Sequence, residues 1–296
     1  MIIEHESEVT GAVERAMSDT PDARLREVMA ALVRHAHAFI RETRPSEDEF
    51  EAGMRFLVDI GRATTDVKNE VVLFADVIGV STLVGLLNNP IGAGQTAAAL
   101  LGPFWRANAP HCELGDNLAR SETPGLPMFV SGYVRDRNGA PIVGASVDVW
   151  HASPVGLYEN QDPEQAEMNL RGLFTTDEDG RFKFRSVRPA GYPVPTDGPV
   201  GDLLRAQVRH PYRPAHTHFM VTKPGFKTLI TQIFADDADN LETDVTFSVI
   251  RSIVGHYELH ETGKAPAPDV TGPFYTLEYD FVLDAGEMRI PIPPIP

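Results

Sequence analysis

The hydrophobic periodicity of this chain changes once, close to Pro103, and that change limits the folds open to it. Before it, apolar residues recur at helical spacing: Leu25, Val28, Met29, Leu32, Val33, Ala36, Phe39 and Ile40 fall on one face. Thr20-Pro21-Asp22 precedes them as a helix start, with a capping hydroxyl and a proline in the first turn. Ser46-Glu47-Asp48-Glu49 reads as a capping box, Ser46 and Glu49 each holding the other's backbone amide. Phe50, Met54, Leu57 and Val58 continue that second helix, and Gly61 is placed to end it. A third helix is expected over roughly residues 66–87, before Asn88-Asn89-Pro90-Ile91-Gly92-Ala93-Gly94 breaks the pattern.

Beyond Pro103 the texture is that of short strands. Residues 129–134 alternate and run into the Asn138-Gly139 turn; residues 145–150 alternate again; Asp179-Gly180 is a further turn before 181–185. Residues 216–221, 228–234, 245–250 and 279–283 are the other strand candidates. Such a series with Gly and Pro turns argues a β-sandwich, and residues 132–150 with 176–182 have the look of a transthyretin-like unit. The Pro- and Gly-rich stretch 151–215 reads as mostly loop, where binding and catalysis concentrate. The tail, residues 291–296, reads as an extended strap. The expectation is an α+β chain: a helical N-terminal domain over 1–105, then an antiparallel sandwich over 106–296.

The formal charge of −16 over 296 residues, with no long basic run, argues against nucleic acid or an anionic membrane as partner. The single cysteine, Cys112, allows no intramolecular disulfide, reads as an inert thiol and fits a reducing cytoplasm. The acidic N-terminal stretch, residues 1–8, lacks a signal-peptide pattern. Residues 71–87 are the most apolar stretch, but they are short for a membrane span and include Asp76; a buried helix is expected and no membrane insertion.

Four residues could carry chemistry. If the run around His216-Thr217-His218 is a strand, both imidazoles point to one face. Tyr158, in Gly156-Leu157-Tyr158, and Tyr192, in Ala190-Gly191-Tyr192-Pro193, precede them. Two phenolates with two neutral imidazoles suit a hard trivalent ion better than zinc or copper. Each piece alone has a plainer reading: a structural His-x-His, a loop aromatic, a turn anchor. His151, His210, His256 and His260 lack a paired spacing and read as surface or packing residues.

Together the motifs are specific. Trp150-His151-Ala152 with Gly156-Leu157-Tyr158, then Arg188-Pro189-Ala190-Gly191-Tyr192-Pro193, then Arg213-Pro214-Ala215-His216-Thr217-His218 resemble the intradiol ring-cleaving dioxygenases. Leu101-Gly102-Pro103-Phe104-Trp105 resembles that family's Gly-Pro-Phe turn at the domain junction, with Trp105 in place of the commoner His or Tyr. The resemblance runs over nearly the whole chain and is strongest over 130–234. It implies non-haem Fe(III) held by Tyr158, Tyr192, His216 and His218, Tyr192 being the ligand that substrate displaces. It implies Arg213 over the substrate ring, Gln232 near the bound oxygens, and O2 inserted with ring opening between two adjacent hydroxyls. It also implies a pocket walled by Leu73, Asp76, Leu100, Leu101, Gly102, Pro103 and Phe104, and a homodimer through the N-terminal helices, with a lipid between them.

Asp76 stands where members acting on plain catechol carry an apolar residue or proline; the hydroxyquinol subgroup resembles the pattern here. The expected substrate is benzene-1,2,4-triol, opened to 3-hydroxy-cis,cis-muconate, the enol of maleylacetate. The competing readings are cleavage of catechol or chlorocatechol, a non-catalytic transthyretin-like binding module, and a zinc hydrolase on His216 and His218 that lacks a third close ligand.

Overall fold

The computed structural model describes residues 2–66 and 68–294. Ile295 and Pro296 of the expected strap, Met1 of the acidic stretch and Val67 of the expected third helix lie outside them. The chain divides into two compact units, Met1–Val58 and Asp59–Pro296.

In the first unit lie α1 (Glu8–Ala16), α2 (Ala23–Thr43) and most of α3 (Glu47–Arg62). The cap of α2 is Asp22 and not Thr20. Its carboxylate accepts from the amides of Arg24 and Leu25 at 2.8 and 3.0 Å, satisfying two of the orphan donors of the first turn. The capping box is present: the Ser46 amide donates to Glu49 Oε2 at 2.7 Å, and the Glu49 amide to Ser46 Oγ at 3.3 Å. No residue of α2 is fully buried; Met29 and Val33 of its apolar stripe are half-buried, while Leu25, Val28, Leu32, Phe39 and Ile40 are exposed.

The second unit corrects the expected third helix. It is two helices, α4 (Glu70–Val77) and α5 (Val80–Asn88), bent by 75°. Gly79 sits between them at φ 74, a left-handed conformation that ends the first helix and that glycine adopts at no steric cost. Burial holds for one face of α4 (Glu70, Leu73, Asp76, Val77) but for no residue of α5. Among the described residues no single helix is long and apolar enough to cross a membrane.

The strands are β1 (Pro127–Asp136), β2 (Ser146–Trp150), β3 (Arg171–Thr175), β4 (Arg181–Val187), β5 (Tyr192–Pro193), β6 (Tyr212–Arg213), β7 (His216–Thr222), β8 (Leu229–Ala235), β9 (Val254–Gly255), β10 (Tyr257–His260), β11 (Phe274–Glu278) and β12 (Phe281–Leu283). One sheet has the order β10-β11-β1-β12 with β4 on the other edge of β1; the second has the order β3-β2-β7-β8-β9; β5 and β6 form a small ribbon. Pairing is mostly antiparallel, but β1 runs parallel to β11 and β12, and β8 to β9. The two sheets enclose Val130, Val134, Val147, Val149, Phe174, Phe182, Phe184, Phe219, Ile233, Leu277 and Phe281. The stretch 151–215 is less irregular than expected, since it contains β3 and α6 (Pro199–Ala206).

Residues 245–250 are not a strand. The Asp244 carboxylate draws in the amides of Thr246 and Ser248, and Phe247 takes φ 58, which curls the segment. At the other end of the chain, β11 and β12 are separated at Tyr279-Asp280, opposite Gly132. A Cβ on Gly132 would lie 1.8 Å from the Tyr279 carbonyl oxygen. Gly132→Ala should therefore destabilise the sandwich by about 3 kcal/mol or more, read as a lower urea unfolding midpoint. An unchanged midpoint would show that the backbone yields freely there.

Candidate metal centre

Strand β7 is buried on both faces. Phe219 and Val221 point into the core between the sheets, so alternation turns His216, His218 and Met220 to the opposite face. There they meet Phe104, Trp105, Trp150, Ala152, Tyr158 and Tyr192. Register fixes the row: His218 lies between Trp150 on β2 and Gln232 on β8. The Trp150 ring stacks on His218 at 4.7 Å and 14°, which holds the imidazole plane.

His216 Nδ1 lies 2.7 Å from the Pro214 carbonyl and donates its proton there, so Nε2 carries the lone pair. That lone pair faces His218 Nε2 at 3.1 Å. Burial, reinforced by Arg213, pushes the His216 pKa down to about 3. Burial and the neighbouring His216 hold His218 well below the ordinary value too. Both rings are therefore neutral, the form in which imidazole ligates.

Tyr158 and Tyr192 bring their hydroxyl oxygens to 3.2 Å from each other. Tyr158 stacks on Phe104 at 4.7 Å. Tyr192, on β5, pairs across the ribbon with Arg213 on β6. Gly156, at φ 82, lets the preceding loop close on this ribbon; a Cβ there would stand 3.2 Å from Tyr192 Cβ. The rings of Tyr192 and His216 are 5.5 Å apart, and those of Tyr158 and His218 6.3 Å. Burial raises both phenols above their usual pKa; for Tyr158 the neighbouring Tyr192 adds to the rise, while for Tyr192 the Arg213 guanidinium opposes it.

The donor set fits one metal ion. Two atoms bonded to an ion at about 2 Å stand roughly 3 Å apart, and both the nitrogen pair and the oxygen pair meet that spacing. A cation among them would reverse the desolvation that keeps the phenols protonated. Among the described residues there is no cluster of three or more His, Cys, Asp or Glu that could hold a metal ion.

Arg213 and Gln232 stand beside this cluster, both buried. Arg213 Nη2 donates to Gln232 Oε1 at 2.8 Å, and Gln232 Nε2 donates to the Leu100 carbonyl at 2.9 Å. Gln232 thus links the arginine to the junction segment. A cavity of about 650 Å³ opens next to that segment, lined by Asp76, Ser81, Leu100, Leu101, Gly102, residues of α4 and α5, and Ile292, Pro293 and Pro294 of the tail. Gly102, at φ 76, lies between the cavity and the cluster; a Cβ there would be 3.2 Å from His218 Cε1. Leu73 is buried in the core side of α4, and Phe104 stacks on Tyr158; neither, nor Pro103, lines the cavity. Burial raises Asp76 to about 6, against the pull of its Ser81 hydrogen bond and of Arg213.

Trp105 turns away from this cavity and donates from Nε1 to the buried Asp148 at 3.0 Å. His151 is a buried packing residue, with Nε2 at 2.7 Å from Ser186 Oγ and Nδ1 at 2.8 Å from the Ala152 carbonyl. His256 is exposed beside Asp236. Sequence reasoning did not single out Asp244, which pairs with Arg213 Nε at 3.1 Å. The signal was Asp244-x-Thr246-x-Ser248, an acidic residue followed by two hydroxyls at alternate positions, read as a strand.

Residues 100–285 match the family described as Dioxygenase, and residues 22–96 match the Catechol dioxygenase N terminus. A hydroxyquinol 1,2-dioxygenase of Rhizobium sp. (strain MTP-10005) is 40% identical over 270 residues, 90% of this chain and 91% of that protein. An intradiol ring-cleavage dioxygenase of Aspergillus niger is 41% identical over 251 residues, 83% of this chain and 80% of the relative. The crystal structure of hydroxyquinol 1,2-dioxygenase from Pseudomonas putida DLL-E4 superposes with a TM-score of 0.86 at 37% identity, over 95% of this chain and 99% of the other.

Proposed function

The chain belongs to the intradiol ring-cleavage dioxygenases, and from that premise we propose that it opens benzene-1,2,4-triol between its adjacent hydroxyls. Both atoms of O2 enter the product, 3-hydroxy-cis,cis-muconate, the enol of maleylacetate. The observation that carries the substrate is the Asp76 carboxyl in the wall of a cavity that reaches Gly102 and, behind it, His218.

The family uses iron, and Tyr158, Tyr192, His216 and His218 would hold it here as Fe(III). Bound there, the ion supplies the electron-withdrawing centre that makes a diol ring reactive toward dioxygen. The residues of the chain do the rest. Tyr192, a phenolate once the ion is bound, would take a proton from a substrate hydroxyl at its Oη, beside the guanidinium of Arg213. Tyr158 stays fixed against Phe104. Arg213 meets negative charge that develops on the ring, and the buried Gln232 holds the arginine at its working angle. Asp76 accepts from the third ring hydroxyl; without that hydroxyl the buried carboxylate keeps only its Ser81 hydrogen bond.

The protein is proposed to act in the cytoplasm as a homodimer. Leu25, Leu32, Phe39, Phe50 and Leu57 of α2 and α3 are each more than half exposed, an apolar surface suited to a second copy and to a lipid chain between copies.

Turnover decides the substrate. The triol should be cleaved with a kcat/KM at least about tenfold above that of catechol; faster turnover of catechol or a chlorocatechol would assign the chain to those substrates. Asp76→Ala should cost the triol about 10- to 100-fold more than it costs catechol, and equal losses would remove Asp76 from recognition. The pH dependence follows from the raised pKa of Asp76. Below about 6 the carboxyl is protonated and loses acceptor capacity, so the triol-to-catechol ratio of kcat/KM falls as pH drops through that value. In Asp76→Ala the ratio should be flat; a flat ratio in the wild type would contradict the role.

A further inference from the structure

We propose that Asp244 is the positioning residue for Arg213 in ring cleavage, an inference that rests on the dioxygenase function proposed above. The two side chains form a buried, two-pronged pair: Arg213 Nε reaches Asp244 Oδ1 at 3.1 Å and Nη2 reaches Oδ2 at 3.3 Å. The carboxylate cannot turn. Its Oδ2 also accepts from Thr246 Oγ at 2.8 Å, Ser248 Oγ at 2.8 Å and the Ser248 amide at 3.0 Å. The guanidinium plane follows the carboxylate plane, and Nη2 gives its other contacts to Gln232 and Ser248. That leaves the Nη1 end turned to the ligand cluster, 3.4 Å from His216 Nε2. It is the end of Arg213 from which charge on a bound ring could be met.

The loop that carries Asp244 is itself fastened. Thr82 Oγ donates to the Thr246 carbonyl at 3.0 Å, while Arg209 donates to the Val245 carbonyl at 2.9 Å and to the Val77 carbonyl at 2.8 Å. Asp244 is thereby tied to α4 and α5, the elements that carry Asp76 and Ser81. Charge adds a second reason. A buried guanidinium beside a metal site would be repelled by the cation, and the Asp244 carboxylate paired with it at 3.1 Å would offset that repulsion.

A plainer role, capping a surface turn, would survive Asp244→Asn, because asparagine keeps an oxygen for the turn amides. A positioning role would not survive it, since the charge and the two-pronged grip are lost. The test compares Asp244→Asn, Arg213→Gln and the double variant in the iron-loaded enzyme with benzene-1,2,4-triol, alongside iron content and thermal midpoint. Asp244→Asn should lower kcat about 10- to 100-fold with KM changed less than about threefold. Arg213→Gln should lose at least as much, and the double variant no more than Arg213→Gln alone.

If Asp244→Asn fails to fold, Ser248→Ala carries the same comparison: an expected kcat loss of roughly 3- to 10-fold that vanishes in the Arg213→Gln background. Losses that multiply with Arg213→Gln, or a folded Asp244→Asn with wild-type kcat, would overturn the proposal while ring cleavage stands. A wild-type protein that opens no diol ring would overturn the functional reading, and the proposal with it.

Discussion

Two imidazoles from one strand and two phenols, one from a loop and one from β5, come together with almost no exposed surface. Burying such groups is costly unless their polar atoms find partners. Here the Nε2 atoms of the two histidines, and the hydroxyls of the two phenols, which burial keeps neutral, each stand one coordination edge apart. A cation held by these residues would give all four polar atoms a partner. The architecture serves this point. A strand period of two aims His216 and His218, Trp150 holds one ring flat, and the Pro214 carbonyl fixes the proton of the other.

Outside the donors, polar contacts run continuously from the ligand cluster to the cavity wall. Asp244 grips Arg213, Arg213 meets Gln232, and Gln232 meets the Leu100 carbonyl next to Gly102. Every link is buried, so each bond is strong and each missing partner would be expensive. Asp76 faces the same cavity from α4 and feels both members of the Arg213–Asp244 pair, the arginine favouring its charge and the aspartate opposing it.

Much of this was legible before any coordinates. Alternation and turn residues placed β1, β2, β4, β7 and β8, because half-buried strands impose a period of two on their side chains. The His-x-His pattern located one half of the donor set for the same reason. The meeting of Tyr158 and Tyr192 was not derivable from spacing: 34 residues of loop and strand separate them, and only the family resemblance joined them to the histidines. Gly79 was hidden inside an apolar run that periodicity reads as one helix, although a left-handed glycine bends it by 75°. Residues 244–248 alternate like a strand, yet the short Asp244 side chain competes for the backbone amides and wins. Trp105, a departure from the family turn, became intelligible only with its partner Asp148 in view.

The proposed chemistry requires one ferric ion among two phenolates and two imidazoles. Metal content and visible absorption of the purified protein test it most directly, for the wild type and for Tyr158→Phe. One iron per chain is expected, with a red-brown tyrosinate-to-iron absorption that shifts or fades when Tyr158 loses its hydroxyl. A colourless wild-type protein, another metal in the site, or an absorption indifferent to Tyr158→Phe would contradict it.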